Sequence, residues 1–117
     1  SAGLVGAERG VFEDSWRGKA GRMEFKIAVM EIKLYAPWVH SLKEKRMVVK
    51  SLLGKIRSRY AVSAAETGLQ DVHQTAVIGI AAIAAHSAQA DSMMDDILAF
   101  VESSTEAEIL SVDREMR

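Results

Sequence analysis

The stretch FKIAVMEIKLYAPWVHSLKE, residues 25–44, places the end of a strand shortly before the start of a helix. Its first part, residues 25–35, is rich in β-branched and aromatic residues and is stopped by Pro37, which favours a strand. Ser41 and Glu44 then form a capping box, in which each side chain accepts a hydrogen bond from the backbone N–H of the other residue. A helix is therefore predicted to begin at Ser41.

Apolar residues along this helix recur three, four and seven positions apart, which predicts one apolar stripe that ends at about Arg59. A second stripe follows Ser87, which is placed to cap another helix that runs through Glu102. Both stripes are expected to face a common core. Their residues are Leu42, Val49, Leu52, Leu53, Ile56 and Tyr60 in the first helix, and Ala90, Met94, Ile97, Leu98 and Val101 in the second.

Three more strands complete the pattern. Residues 61–67 alternate weakly and are closed by Gly68, residues 75–86 form an apolar run, and residues 108–115 form a short charged strand. The order β-α-β-β-α-β over about 90 residues is that of the split βαβ arrangement. We therefore predict an α+β, ferredoxin-like domain, with a four-stranded antiparallel sheet and two helices on one face.

The domain is predicted over residues 23–117, because the first 22 residues have a different character. Five of the eight glycines fall within positions 1–21, among charged residues that show no sustained periodicity. Residues 1–22 therefore form a glycine-rich leader, for which an expression-vector remnant, an upstream start and a true extension are the alternatives. Phe12 and Trp16 can anchor this leader on the domain or on a neighbouring chain.

Apolar residues occupy both sides of the third strand, which predicts that the sheet face away from the helices is also covered. Val77, Ala81 and Ile83 lie on one side, opposite a second apolar row on the other. We expect either a homodimer stacked through the sheet or a sheet face covered by the leader. The alternative is that this face stays exposed to water, because its alanine and glycine residues make it only weakly hydrophobic.

The charge is divided unevenly along the chain, although the net charge is only −1. Residues 40–59 carry seven basic and one acidic side chains, whereas residues 60–117 carry two basic and ten acidic ones. At about 100° per residue, four basic residues of the first helix fall within about 60° of each other. We call these four residues the basic ridge: Lys43, Arg46, Lys50 and Arg57.

The basic ridge can neutralise phosphates of a nucleic acid, can meet an acidic protein surface, or can serve solubility alone. His40, just before the helix, can add a phosphate contact or stabilise the turn. Stacking of bases on the sheet is not expected, because the third strand carries no aromatic residue. The nucleic-acid candidates are His40, Ser41, Lys43, Lys45, Arg46, Lys50 and Arg57.

Recognisable catalytic and metal-binding patterns are absent from the sequence. It has no cysteine, no HExxH or GxSxG motif and no glycine-rich phosphate loop. A polar cluster lies on the connection between the second and third strands, where acid/base chemistry is the alternative to ordinary turn hydrogen bonding. No enzyme activity, metal or cofactor is predicted, and the longest apolar run is too short to span a membrane. The polar cluster consists of Glu66, Gln70, Asp71, His73 and Gln74.

Residues 35–46, YAPWVHSLKEKR, together with VSAAE at residues 62–66 and the later Gln70, Asp71, Gln74 and Gly79, resemble the YlxP-like family of small bacterial proteins. The resemblance runs from Met23 to about Glu115. It implies a ferredoxin-like, cytoplasmic, bacterial protein, often encoded near genes for translation initiation and ribosome maturation, with no established activity. His73 stands where members commonly have an aromatic residue.

The resemblance favours a role in RNA or ribosome binding for the matching residues Ser41, Lys43, Lys45, Arg46 and Lys50. We therefore predict a binding or assembly module that contacts ribosomal RNA or ribosomal particles through its first helix. The alternative is a dimeric domain for small-ligand regulation or protein interaction that uses the apolar sheet face. An enzyme that uses Glu66, Asp71 and His73 is a third hypothesis.

Overall fold

Four strands and two helices follow one another in the order β-α-β-β-α-β over residues 24–117, the part of the chain that the computed structural model describes. The strands form one antiparallel sheet in the order β2-β3-β1-β4. The predicted α+β, ferredoxin-like fold is therefore confirmed. The elements are β1 Lys26–Tyr35, α1 Leu42–Arg59, β2 Ser63–Gly68, β3 Thr75–Ala84, α2 Ser87–Ser104 and β4 Glu108–Met116.

The two central strands, β1 and β3, supply the floor of the core. Met30 pairs with Ile80 and Ile32 pairs with Ile78, and all four side chains are buried under the helices. Because successive side chains of a strand point to opposite faces, this register turns every second residue of both strands toward the helices. Residues of both helices join them in one core, so the helices share one face of the sheet.

The apolar stripes predicted for the helices face this core. In α1 the buried apolar residues are Val49, Leu52, Leu53 and Ile56, and in α2 they are Ala90, Met94, Ile97 and Val101. The stripe residues near the margins, Leu42, Tyr60 and Leu98, are only half-buried. Tyr60 lies beyond the last turn of α1, and its ring meets the Phe100 ring edge to face at 5.7 Å.

The start of α2 differs from the prediction, because the N-cap is His86 rather than Ser87. The Nδ1 atom of His86 accepts a hydrogen bond from the Gln89 backbone N–H at 3.2 Å. In return the Gln89 side chain accepts one from the Ala85 backbone N–H at 2.6 Å. Residues 85 and 86 therefore belong to the cap, and β3 ends at Ala84.

The other strand ends move by one or two residues from their predicted positions. β1 begins at Lys26, β2 runs from Ser63 to Gly68, and β4 extends to Met116. Residues 61 and 62 form the turn that leaves α1 instead of the first part of β2. The predicted leader of residues 1–22, with Phe12 and Trp16, lies outside the described residues.

The sheet face away from the helices, which we call the open face, is partly apolar. Ile83 is 68% exposed and its partner in the register, Ile27, is 38% exposed. Val29 and Ala81, the next pair on that face, are half-buried. No described element covers this side of the sheet, so the predicted apolar character of both faces of β3 holds at the Ile83 end.

Gly79, in the middle of β3, lies opposite a side chain of the neighbouring edge strand. A Cβ atom at Gly79 would approach the Cγ2 atom of Thr67 to 2.7 Å. Thr67 is also tied to β1, since its hydroxyl donates to Glu31 Oε2 at 3.3 Å. The glycine therefore makes room for a threonine of its own sheet.

Substitution Gly79→Ala is expected to destabilise the protein by about 1–3 kcal/mol, because the added methyl group overlaps Thr67. Substitution Thr67→Ala removes the clashing atom, so the double variant should recover most of that loss. Urea unfolding of the two single variants and the double variant measures the coupling. Additive losses in the double variant would show that Thr67 is not the obstacle.

Candidate nucleic-acid interface

Lys45 lies in the core side of α1 and not on its solvent side. It is 3% exposed, and its ammonium group contacts three acceptors. Its Nζ atom donates to the backbone oxygen of Leu69 and, at 2.7 Å, to that of Val72. It also lies 2.9 Å from Glu66 Oε2, a buried carboxylate oxygen that accepts no hydrogen bond among the described residues, so this contact is mainly ionic.

These contacts correct the prediction that Lys45 binds nucleic acid. Two of the three N–H donors of the ammonium group are taken by backbone oxygens, and the Glu66 carboxylate supplies the negative charge that a phosphate would otherwise bring. The position of Lys45 in the helix explains the difference, because it lies four residues before Val49 and seven before Leu52 in the buried stripe. Lys45 instead joins α1 to the connection between β2 and β3.

The polar cluster on that connection is largely structural. The Gln70 side chain donates to the backbone oxygen of Glu66 at 3.2 Å. The Gln74 side chain donates to the backbone oxygens of Pro37 and Val39, at 3.1 and 3.3 Å, and so fastens the segment before α1. The connection also includes Leu69 with a positive φ of 56°, an uncommon conformation for leucine.

Asp71 and His73 complete the polar cluster, and both are exposed. Within the described part of the chain, no hydrogen bond or ion pair joins either of them to Glu66, whose carboxylate faces Lys45. The structure therefore does not assemble Glu66, Asp71 and His73 as an acid/base site. Nor does any group of three or more histidine, aspartate or glutamate side chains within residues 24–117 have the spacing of a metal site.

The N-terminus of α1 is closed by its own side chains. Ser41 Oγ accepts the Glu44 backbone N–H at 3.1 Å, as the capping box predicts. The Glu44 carboxylate, however, accepts the backbone N–H of His40 at 2.9 Å rather than that of Ser41. The cap thus uses the Ser41 hydroxyl and brings a negative charge to the helix start, which disfavours an anion there. The His40 side chain remains exposed beside it.

Arg57, one of the four residues of the basic ridge, forms a hydrogen bond to the sheet. The Arg57 guanidinium donates to the backbone oxygen of Ala64 in β2, which is an edge strand. The next carbonyl pointing the same way, that of Glu66, is the one occupied by Gln70. Arg57 and Gln70 together occupy outward acceptors of β2, a protection that edge strands commonly need.

The other three ridge residues, Lys43, Arg46 and Lys50, are exposed. None of them forms an ion pair with another residue of the described range 24–117. From Lys43 to Lys50 the helix rises by about 10 Å. The candidate interface is therefore a strip of three cationic side chains on a helix whose orientation is held by Lys45.

Two further basic residues of α1 lie toward the helix end. The Arg59 guanidinium stacks over the Phe100 ring at 5.1 Å, and Lys55 Nζ lies 3.4 Å from the backbone oxygen of Ser104. Sequence reasoning also missed Trp38 and Met47, which are exposed beside Lys55. Trp38 follows Pro37 in a surface turn, and that position is the signal that could have indicated its exposure.

No helix within residues 24–117 has the length and hydropathy needed to cross a membrane.

Comparison with known proteins gives a family and one similar curated protein. Residues 27–114 match the family described as "Protein of unknown function (DUF503)". The chain is 40% identical over 68 residues to "Uncharacterized protein YlxP" of Bacillus subtilis (strain 168), a match that covers 58% of this chain and 74% of that protein. The matched range begins in β1 and ends in β4, so it includes the basic ridge and the Lys45 contacts.

Substitution Lys45→Met is expected to destabilise the protein by about 3–5 kcal/mol, because it leaves the Glu66 carboxylate buried without its counter-charge. Substitution Lys43→Met on the exposed side of the same helix is the matched control and should change stability by about 0.5 kcal/mol or less. Urea unfolding followed by circular dichroism measures both. Equal stabilities of the two variants would contradict a structural role for Lys45.

Proposed function

The chain belongs to the DUF503 family, and we propose that it is a non-enzymatic module that binds structured RNA, ribosomal RNA in particular, through phosphate contacts of α1. The observation that carries the proposal is the exposure of Lys43, Arg46 and Lys50, without acidic partners among the described residues, on one side of a well-anchored helix. The proposal implies a cytoplasmic protein.

Fixed geometry supports a binding role for these three side chains. Lys45, in the same segment, is buried and holds α1 against the β2–β3 connection. A helix held in this way presents its exposed cations in a constant arrangement, so a partner does not have to order the helix itself on binding. Three cations on one helix side suit the repeated phosphates of a nucleic-acid backbone.

Phosphates rather than bases are the expected targets of the ridge. Lysine and arginine contacts to phosphates position a protein on a nucleic acid without reading its sequence. The open face of the sheet is a less suitable alternative, because its acidic residues Glu31, Asp113 and Glu115 outnumber Lys33 and Arg117, and Arg117 is already paired with Glu115. The RNA is therefore expected to approach α1 and to avoid the sheet.

A triple substitution, Lys43→Ala, Arg46→Ala and Lys50→Ala, should weaken binding to ribosomal RNA and reduce its salt dependence. Each lost phosphate contact is expected to make the slope of log K against log salt shallower by about 0.7–0.9. Filter binding at several salt concentrations measures both quantities.

The matched control removes three exposed basic residues from the strands and the C-terminus: Lys26, Lys33 and Arg117. This control changes the net charge by the same amount, so it separates the ridge from total charge. Equal affinities and equal salt slopes for the two triple variants would refute the proposed interface, as would salt-insensitive binding by the unmodified protein.

A second candidate function is a homodimeric domain for protein interaction or small-ligand regulation that associates through the open face. The observation in its favour is the exposure of Ile83 and Ile27 as a directly paired couple, continuous with Val29 and Ala81. Exposed large apolar residues in one contiguous patch are typical of interaction surfaces. A second copy of the same face would bury both isoleucines.

For this second candidate, substitution Ile83→Glu should convert a dimer into a monomer, since it places a charge inside the apolar contact. Substitution Val72→Glu, at an exposed apolar residue on the β2–β3 connection, should leave the dimer intact. Sedimentation equilibrium at micromolar concentration measures the mass of each. A monomeric unmodified protein would exclude this candidate and leave the RNA proposal unaffected.

A further inference from the structure

A groove beside α1 combines an exposed aromatic ring with basic and hydroxyl groups. It has a volume of about 340 Å³, toward the lower end of the range of small-molecule sites. Trp38, 38% exposed, and Met47, 65% exposed, both line it. Val48 and Leu52 of α1 provide further apolar lining, and Lys55 contributes an ammonium group.

The polar lining comes from α1 and from the segment after α2. Ser51, Ser104 and Thr105 carry hydroxyl groups, which donate and accept hydrogen bonds, and Glu106 carries a carboxylate. A planar heterocycle placed against the Trp38 ring would therefore find partners for its polar edge. Apolar walls with a few polar groups are the usual composition of a site for a flat organic ligand.

The groove adjoins the basic ridge along the surface of α1. At about 100° per residue, Met47 lies about 40° from Lys43 on one side and about 40° from Ser51 on the other. Met47 therefore separates the two features by less than a quarter of the helix circumference. A chain that follows the exposed lysines can reach the groove without crossing a buried part of the helix.

We propose that the Trp38 groove binds an unpaired base of RNA, stacked against Trp38, while the flanking phosphates contact Lys55 and the exposed ridge residues. This inference rests on the proposed function and adds to it the class of RNA: a loop or single-stranded segment whose bases are free to stack. Aromatic side chains beside a cationic surface are the usual means of holding such bases.

Charge decides between RNA and an acidic peptide only in part, because both are attracted by the lysines. The ring of Trp38 distinguishes the two ligands further. A base presents a π-face to Trp38 and a polar edge to the hydroxyl groups, whereas the carboxylate side chains of an acidic peptide have no aromatic plane to stack on the Trp38 ring. A single-stranded RNA is therefore the occupant that fits both features of the groove.

The test uses the full chain with Trp16→Phe, so that Trp38 is the sole remaining tryptophan. The probes are a labelled oligouridylate, an RNA duplex of the same length and an acidic peptide. Binding of the oligouridylate should quench Trp38 emission. Substitution Trp38→Ala should weaken oligouridylate binding about 5-fold or more, whereas Trp38→Phe should retain most of it.

Duplex binding should be unchanged by Trp38→Ala, because paired bases are not free to stack on a side chain. Phe25→Ala, at an aromatic residue that is 43% exposed, is the matched control and should not affect oligouridylate binding. If Trp38→Ala does not fold, the quenching of Trp38 emission in the parent and the binding by Trp38→Phe still test the inference.

Ridge-dependent oligouridylate binding with unchanged Trp38 emission and no loss in Trp38→Ala would overturn the groove inference and leave the proposed function standing. Absence of binding to both RNAs by the parent protein would overturn both. Quenching by the acidic peptide alone would assign the groove to a protein partner and would equally reject the inference.

Discussion

The buried ammonium group of Lys45 is the contact on which the arrangement of the interface depends. It joins α1 to three points of the β2–β3 connection: the Glu66 carboxylate and the backbone oxygens of Leu69 and Val72. Since adjacent helical residues differ by about 100°, a helix with Lys45 turned inward has Lys43 and Lys50 turned outward. The burial of Lys45 therefore determines which basic side chains of α1 face the solvent and are available to a partner.

The fold was largely predictable, because each element carries a local signal that agrees with its neighbours. Pro37 and the Ser41 cap separate β1 from α1, and the apolar stripes of both helices identify their buried sides. The cap of α2 was predicted one residue late. Serine is the commoner capping residue, and the sequence alone does not show that the imidazole nitrogen of His86 reaches the Gln89 backbone N–H.

The candidate site was less predictable, because charge pattern alone does not distinguish a solvated cation from a paired one. Lys45 continues the period of Val49, Leu52 and Ile56, but lysine is rarely buried unless it is paired, so this position alone does not establish burial. Its partner Glu66, however, is 21 positions away, and only the packing of α1 on β2 brings the two together. The hydrogen bond from Arg57 to the backbone of β2 likewise depends on β2 being an edge strand, which only the folded structure shows.

A nearly neutral chain can present a local positive surface because some of its basic side chains are paired within the fold and others are exposed together. Lys45 is neutralised internally, Arg57 serves the β2 edge, and the basic side chain of Arg114 is paired with Asp95 at 2.6 Å. Among residues 24–117, most of the exposed cations without an acidic partner lie together on α1, and only Lys26 and Lys33 lie on β1, whereas acidic residues project from β4 and α2. Under the ionic strength of a cell, the field of an exposed charge extends only about 8 Å, so a partner at α1 senses the ridge rather than the net charge.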